Sequence, residues 1–185
     1  MKNLVLKYGL ISGLIVSTTL ILSAIIGIEE VMMGDYGMII GFGSMIIAFA
    51  FVFVGIKKYR DDQNGGIVTF GKAFKIGLLI SFTASTFYVF TWLIEYYTLY
   101  PNFMDTYIAT SLEHAKAAGK SAAELKKMDE SFDVSRSLYS NPFGIIAVTY
   151  SEIFPLGIVV SLIAALVMMR RSPRGKNHIV QTESL

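Results

Sequence analysis

Charged residues divide the chain into long apolar blocks. Between Lys7 and Glu29, from Tyr8 to Ile28, run 21 residues without a charge, and between Asp35 and Lys57, from Tyr36 to Ile56, run another 21. A third uncharged block of 19 residues, Ile76 to Ile94, lies between Lys75 and Glu95. The stretch between Arg136 and Arg170 is broken only by Glu152. A helix rises about 1.5 Å per residue and bilayer hydrocarbon is roughly 30 Å thick, so about 20 apolar residues make one crossing. The pattern predicts four spans, at about 8–28, 36–56, 74–98 and 143–169, in a single membrane domain covering 1–185. The first block follows Lys2 and Lys7, as a secretory signal would. It is longer than a signal core of about 7–15 residues and no small-x-small site precedes Glu29, so a retained helix is expected.

The connections carry their own signals. The first, from Glu29 to Asp35, is short and makes spans 1 and 2 an antiparallel hairpin. The second contains Asn64-Gly65-Gly66, residues that tolerate positive φ and mark a turn. Phe70, Ala73, Phe74 and Gly77 then repeat at helical spacing, so span 3 begins near Thr69, with Lys72 and Lys75 placed to snorkel. The third connection, about 103–140, is too long for a plain loop. Met104, Tyr107, Ile108, Ser111, Leu112 and Ala115 define one short helix, which Gly119 ends. Ser121 and Glu124 read as a capping box opening a second, with Leu125, Met128 and Phe132 as its apolar stripe. Asn141-Pro142 supplies an N-cap and a first-turn proline for span 4. The fold class is therefore all-α: an integral membrane four-helix bundle with two short extramembrane helices between spans 3 and 4. Those helices are expected on the bilayer surface or over the ends of the spans. Trp92, Tyr96, Tyr97 and Tyr100 fall where an interfacial aromatic belt belongs.

Composition agrees. The chain is 54% hydrophobic and 16% charged, against about 45–50% and about 25% in soluble domains. The absence of cysteine excludes disulfides, thiolate metal sites and cysteine-linked lipid anchors. A net charge of +2 gives no field for nucleic acid, and the bilayer itself is the expected partner. Position matters more than the sum. Eleven Lys/Arg fall before span 1, in the second connection and after span 4, and five fall between Glu95 and Asn141 among seven acids, Glu95 included. Basic residues near span ends stay in the cytoplasm, which predicts both termini cytoplasmic and the third connection outside.

Candidate chemistry is sparse. Glu152 is the single charge well inside an apolar block, with Pro155 three residues on. A carboxylate in hydrocarbon is costly and must face the bundle interior or water. Glu152 is thus either an ion or proton site beside a proline kink or a solvated boundary charge. Glu95 ends span 3 on the same side and either converges with Glu152 or stands as a boundary charge in water. Gly9, Gly13 and Ser17 share one face of span 1, and Gly37 and Gly41 share one face of span 2. Such faces serve close packing, within the bundle or between copies. The basic stretch Lys57, Lys58 and Arg60 has the chemistry to meet anionic headgroups, although topology alone accounts for it. His114 and His178 fall in different compartments and cannot share a metal. No H-E-x-x-H, G-x-S-x-G, P-loop or dinucleotide fingerprint occurs, so no catalytic, metal or cofactor-binding residues are assigned and no cofactor is expected.

Three segments carry a resemblance. They are Gly55-Ile56-Lys57-Lys58-Tyr59-Arg60-Asp61 with Asn64-Gly65-Gly66, then Thr69-Phe70-Gly71-Lys72-Ala73-Phe74-Lys75-Ile76-Gly77, and finally Asn141-Pro142 with Glu152-Ile153-Phe154-Pro155-Leu156-Gly157 and the Ser161 to Arg171 tail. Together the chain resembles the domain of unknown function 4199 family of bacterial membrane proteins. The resemblance implies a four-helix protein of the bacterial inner membrane and brings no catalytic residues. Three roles remain: a non-catalytic helper or interaction protein, a small oligomeric transporter or channel using the span 4 carboxylate, and a membrane enzyme acting on lipids. A homo-oligomer or a membrane protein partner is expected for the first two.

Overall fold

The computed structural model describes residues 1–26 and 37–170. The first connection and Arg171, Arg174, Lys176 and His178 lie outside the described residues. Four helices are long and apolar enough to cross a bilayer: α1 (Lys2–Ile26), α2 (Gly37–Lys58), α3 (Phe70–Thr98) and α7 (Pro142–Met168). Three shorter helices, α4 (Phe103–Ala117), α5 (Ala122–Ser131) and α6 (Asp133–Tyr139), join α3 to α7. The chain is a multi-pass membrane protein. The third connection holds three helical segments where the sequence suggested two. The second expected helix breaks at Phe132, which closes α5 with its amide bonded to Asp129 O and Glu130 O and precedes α6 directly.

Local chemistry sets these boundaries. Thr69 caps α3 by accepting from Lys72 N. Ser121 and Glu124 form the reciprocal capping box of α5. Asn141 Oδ1 accepts from Gly144 N at 2.9 Å, with Pro142 in the first turn of α7. Gly119, at φ +84°, closes α4: its amide reaches Lys116 O and the Lys120 amide reaches Ala115 O, the paired bonds of a left-handed helix stop.

α1 and α7 each pack against both α2 and α3, and α2 and α3 touch across the middle. The interior mixes large apolar side chains, among them Phe49, Ile76, Ile80 and Ile153, with small and polar ones such as Ser12, Ala48, Ser81, Ala84, Ser85 and Ser161, all at 0–1% exposure. The outside carries Leu14, Ile39, Phe42, Ile47, Phe90 and Leu166. An apolar exterior suits lipid, where helix association draws on close approach at small residues. The closest approaches bear this out. A Cβ at Gly9 would stand 2.5 Å from Thr83 Cβ, and one at Gly157 2.8 Å from Ser81 Cβ. Ser81 Oγ donates to Gly157 O at 3.1 Å and lies 3.0 Å from Ser161 Oγ.

One end of the bundle gathers Met1, the turn after α2 and the end of α7. The Met1 ammonium donates to Gln63 Oε1 at 3.0 Å, and Val68 and Arg170 exchange two backbone bonds of 3.1 and 2.9 Å. α4, α5 and α6 cover the other end, where α6 packs on α7.

Candidate functional site

Beneath α4 and α6, the ends of α3 and α7 diverge around a cavity of about 310 Å³. α3 contributes Tyr88 and Trp92, one helical turn apart on its buried stripe, and α7 contributes Val148, Thr149 and Glu152. α4 brings Phe103, Met104 and Tyr107, and Phe132, Ser135 and Tyr139 close the space from the α5–α6 side. Ring contacts hold the roof. Trp92 meets Phe103 edge-on at 4.8 Å, Phe103 lies 6.0 Å from both Tyr107 and Tyr139, and Tyr107 meets Phe132 edge-on at 6.1 Å. Tyr96 Oη donates to Tyr139 O at 3.1 Å and ties α3 to the end of α6. Burial first, and the Glu152 carboxylate next, push the Tyr139 hydroxyl above the ordinary tyrosine range, so it stays a neutral hydrogen-bond group.

The carboxylates part company. Glu152 lines the cavity with its side chain still exposed, so it stands where the cavity meets its surroundings. Sixteen residues separate it from the end of α7 at Met168, about 24 Å along a helix axis. α7 runs on through Pro155, which has no amide for the Ser151 carbonyl. Glu95 does not line the cavity. It is only 6% exposed, which corrects its expected place as a boundary charge in water. Its carbonyl accepts from the Leu99 and Tyr100 amides where α3 ends. Among the described residues neither glutamate has an ion-pair partner, and no three His, Asp or Glu gather as a metal site.

The small-residue positions fare differently from one another. Gly9 and Gly13 face α3, against Thr83 and Phe87, and Ser17 accepts from Thr91 Oγ1 at 3.1 Å. Gly41 meets nothing within 4 Å, so no close approach occurs there among the described residues. The surroundings of Gly37 lie outside the described residues. The aromatic belt is also redrawn. Tyr97 is exposed, while Trp92 and Tyr96 are buried, and Trp92 lines the cavity.

At the opposite end, Arg60 is 7% exposed within a short π-helical turn, Tyr59–Gln63. Its guanidinium donates to both Asp61 oxygens, at 2.6 and 3.1 Å, and to Met168 O at 3.4 Å. An arginine so engaged is not free for lipid headgroups, which corrects its place in the basic stretch. Lys57 and Lys58 remain exposed, Lys58 with Asp62 at 3.1 Å. A bidentate pair at the carboxyl end of a helix joins fork geometry to the negative pole of the macrodipole.

A family model described as a protein of unknown function, DUF4199, matches residues 7–170. The chain belongs to this family. The DUF4199 match begins within α1, takes in α2 to α7, the cavity and the Arg60 turn, and ends on Arg170, which bridges to Val68. No curated protein and no solved structure matches the chain.

Proposed function

We propose that this chain is a non-catalytic helper or interaction protein of a bacterial inner membrane, and that it works by holding a small ligand in the cavity under α4 and α6. The observation that carries this is the cavity itself: about 310 Å³, walled by rings, with one carboxylate at its edge. Binding pockets share this make-up, mostly apolar walls with a few placed polar groups, and begin near 300 Å³. A lone carboxylate without a histidine, lysine or second acid among the lining residues suits binding better than proton-transfer chemistry. Both termini are cytoplasmic in this reading and the cavity opens on the other side. The basic residues Lys2, Lys57, Lys58, Lys72 and Arg170 fall at the end where Met1 and the last turn of α7 lie, which supports it.

Native mass spectrometry of the protein released directly from its membranes tests the binding role, with Ser135→Phe as a cavity-filling control. A small-molecule adduct lost in the variant is expected. Spectra free of any adduct, together with Trp92 fluorescence indifferent to added ligands of every charge, would defeat it. A second reading, a small oligomeric transporter using Glu152, draws on that carboxylate beside Pro155. The filled interior around Ser81, Ile153 and Ser161 means that a path would need a second copy. Proteoliposome flux unchanged by Glu152→Gln would remove Glu152 from such a path.

A further inference from the structure

The cavity is one-sided in charge. Glu152 lines it, and no lysine, arginine or histidine does. Arg136, on α6 nearby, is held by Asp129 and by Asp133 at 2.9 Å, so it does not neutralise the carboxylate. The remaining surface is aromatic, with Tyr88, Trp92, Phe103, Tyr107 and Tyr139 contributing rings. Aromatic faces are electron-rich and attract a cation within about 6 Å of the ring centre. An anion entering this space would meet Glu152. A neutral apolar molecule would cover a carboxylate and leave it unpaired, which is unfavourable near hydrocarbon.

We propose that the cavity recognises an organic monocation, an amine or quaternary ammonium group seated between Glu152 and the aromatic roof. This rests on the binding role proposed above and specifies its ligand. The volume suits a headgroup or a small free amine and not an acyl chain. Glu152 lines the cavity and is exposed at its edge. The cation can therefore arrive on a lipid or from water, and both sources share one chemistry.

Trp92 is the single tryptophan of the chain and lines the cavity, so its emission reports occupancy without a label. The full-length protein is placed in nanodiscs of phosphatidylglycerol alone. Choline and ethanolamine are titrated as free cations, with 3,3-dimethylbutanol as the uncharged match for choline and acetate as an anion. In parallel, phosphatidylethanolamine or phosphatidylcholine is added to the nanodisc. A saturable change in Trp92 emission is expected with the cations or their lipids, whichever is the source, and none with the alcohol or acetate. Glu152→Gln should weaken binding at least tenfold. Phe103→Leu, which keeps the carboxylate and removes one ring, should weaken it severalfold. It serves as the second variant should Glu152→Gln fail to fold by circular dichroism. Equal affinity for the alcohol, or full affinity in both folded variants, overturns the ligand class and leaves the cavity reading standing. No response to any probe, with Ser135→Phe indistinguishable from the parent, overturns both.

Discussion

Gly157→Ala adds one methyl group where α7 lies closest to α3. The new Cβ would stand 2.8 Å from Ser81 Cβ and 3.0 Å from Phe49 Cζ. Carbon atoms rest at about 3.5–4.0 Å, so the helices must part by nearly ~1 Å, or Ser81 and Phe49 must both move. Neither has space, being 0% and 1% exposed. Overpacking of this kind costs about 1–3 kcal/mol. Separation also stretches the hydrogen bond from Ser81 to Gly157 O, worth about 0.6 kcal/mol in a membrane interior. Alanine's better helix propensity returns at most about 1 kcal/mol. The expected net loss is about 1–2 kcal/mol. Ser81→Gly removes the opposing Cβ, so the double variant should be more stable than the two singles predict, by about 1 kcal/mol. Reversible unfolding of the four proteins in mixed micelles, titrated with dodecyl sulfate and followed by circular dichroism, measures the cycle. A stabilised Gly157→Ala protein, or singles that add within about 0.3–0.5 kcal/mol, would refute the close approach.

Two further outcomes follow from the ends of the bundle. Arg60→Lys keeps the charge but not the planar fork that grips Asp61 and reaches Met168 O. It should lower stability by about 1.5–3 kcal/mol, and an unchanged thermal midpoint would show that the fork adds nothing. The Ser121 hydroxyl, then its amide, hold the exposed Glu124 carboxyl below the ordinary range. Its support for α5 is therefore complete above the unfolded value of about 4.3 and fades as pH falls through the lower folded value. In NMR titrations of the whole protein the Ser121 amide should follow that step, and Glu124→Gln should abolish it. A Ser121 shift that persists in the variant would point to another group.

Signals read from neighbouring residues were legible before any coordinates. The four uncharged blocks, the Ser121–Glu124 box, the Gly119 stop and the Asn141-Pro142 cap each act within a few residues, and each stands where the sequence placed it. What the sequence hid depends on partners far along the chain. Arg60 read as one more surface base because its acceptor on Met168 is 108 residues away. Gly77 and Ser81 pair with Gly157 and Ser161 only once α3 and α7 are known to be neighbours. Trp92 and Tyr96 have the composition of a lipid-facing belt, and only the rings that α4 and α6 bring against them leave both buried. The break at Phe132 carries no glycine or proline, so no turn chemistry announced it. Glu152 is legible from its cost in hydrocarbon, but the rings that line the cavity with it come from three helices and the α5–α6 junction, which no local pattern joins.

The strap formed by Arg60, Val68, Met168 and Arg170 has a bearing on how the molecule is made. Translation delivers the guanidinium and the Val68 amide long before it delivers the carbonyls that accept from them. A nascent chain stalled after its third crossing therefore presents a half-built clasp, with an arginine held only by its neighbour Asp61 and an unmatched backbone edge at Val68. The last residues of α7 and Arg170 fasten it, so the clasp closes only once the fourth span has been made.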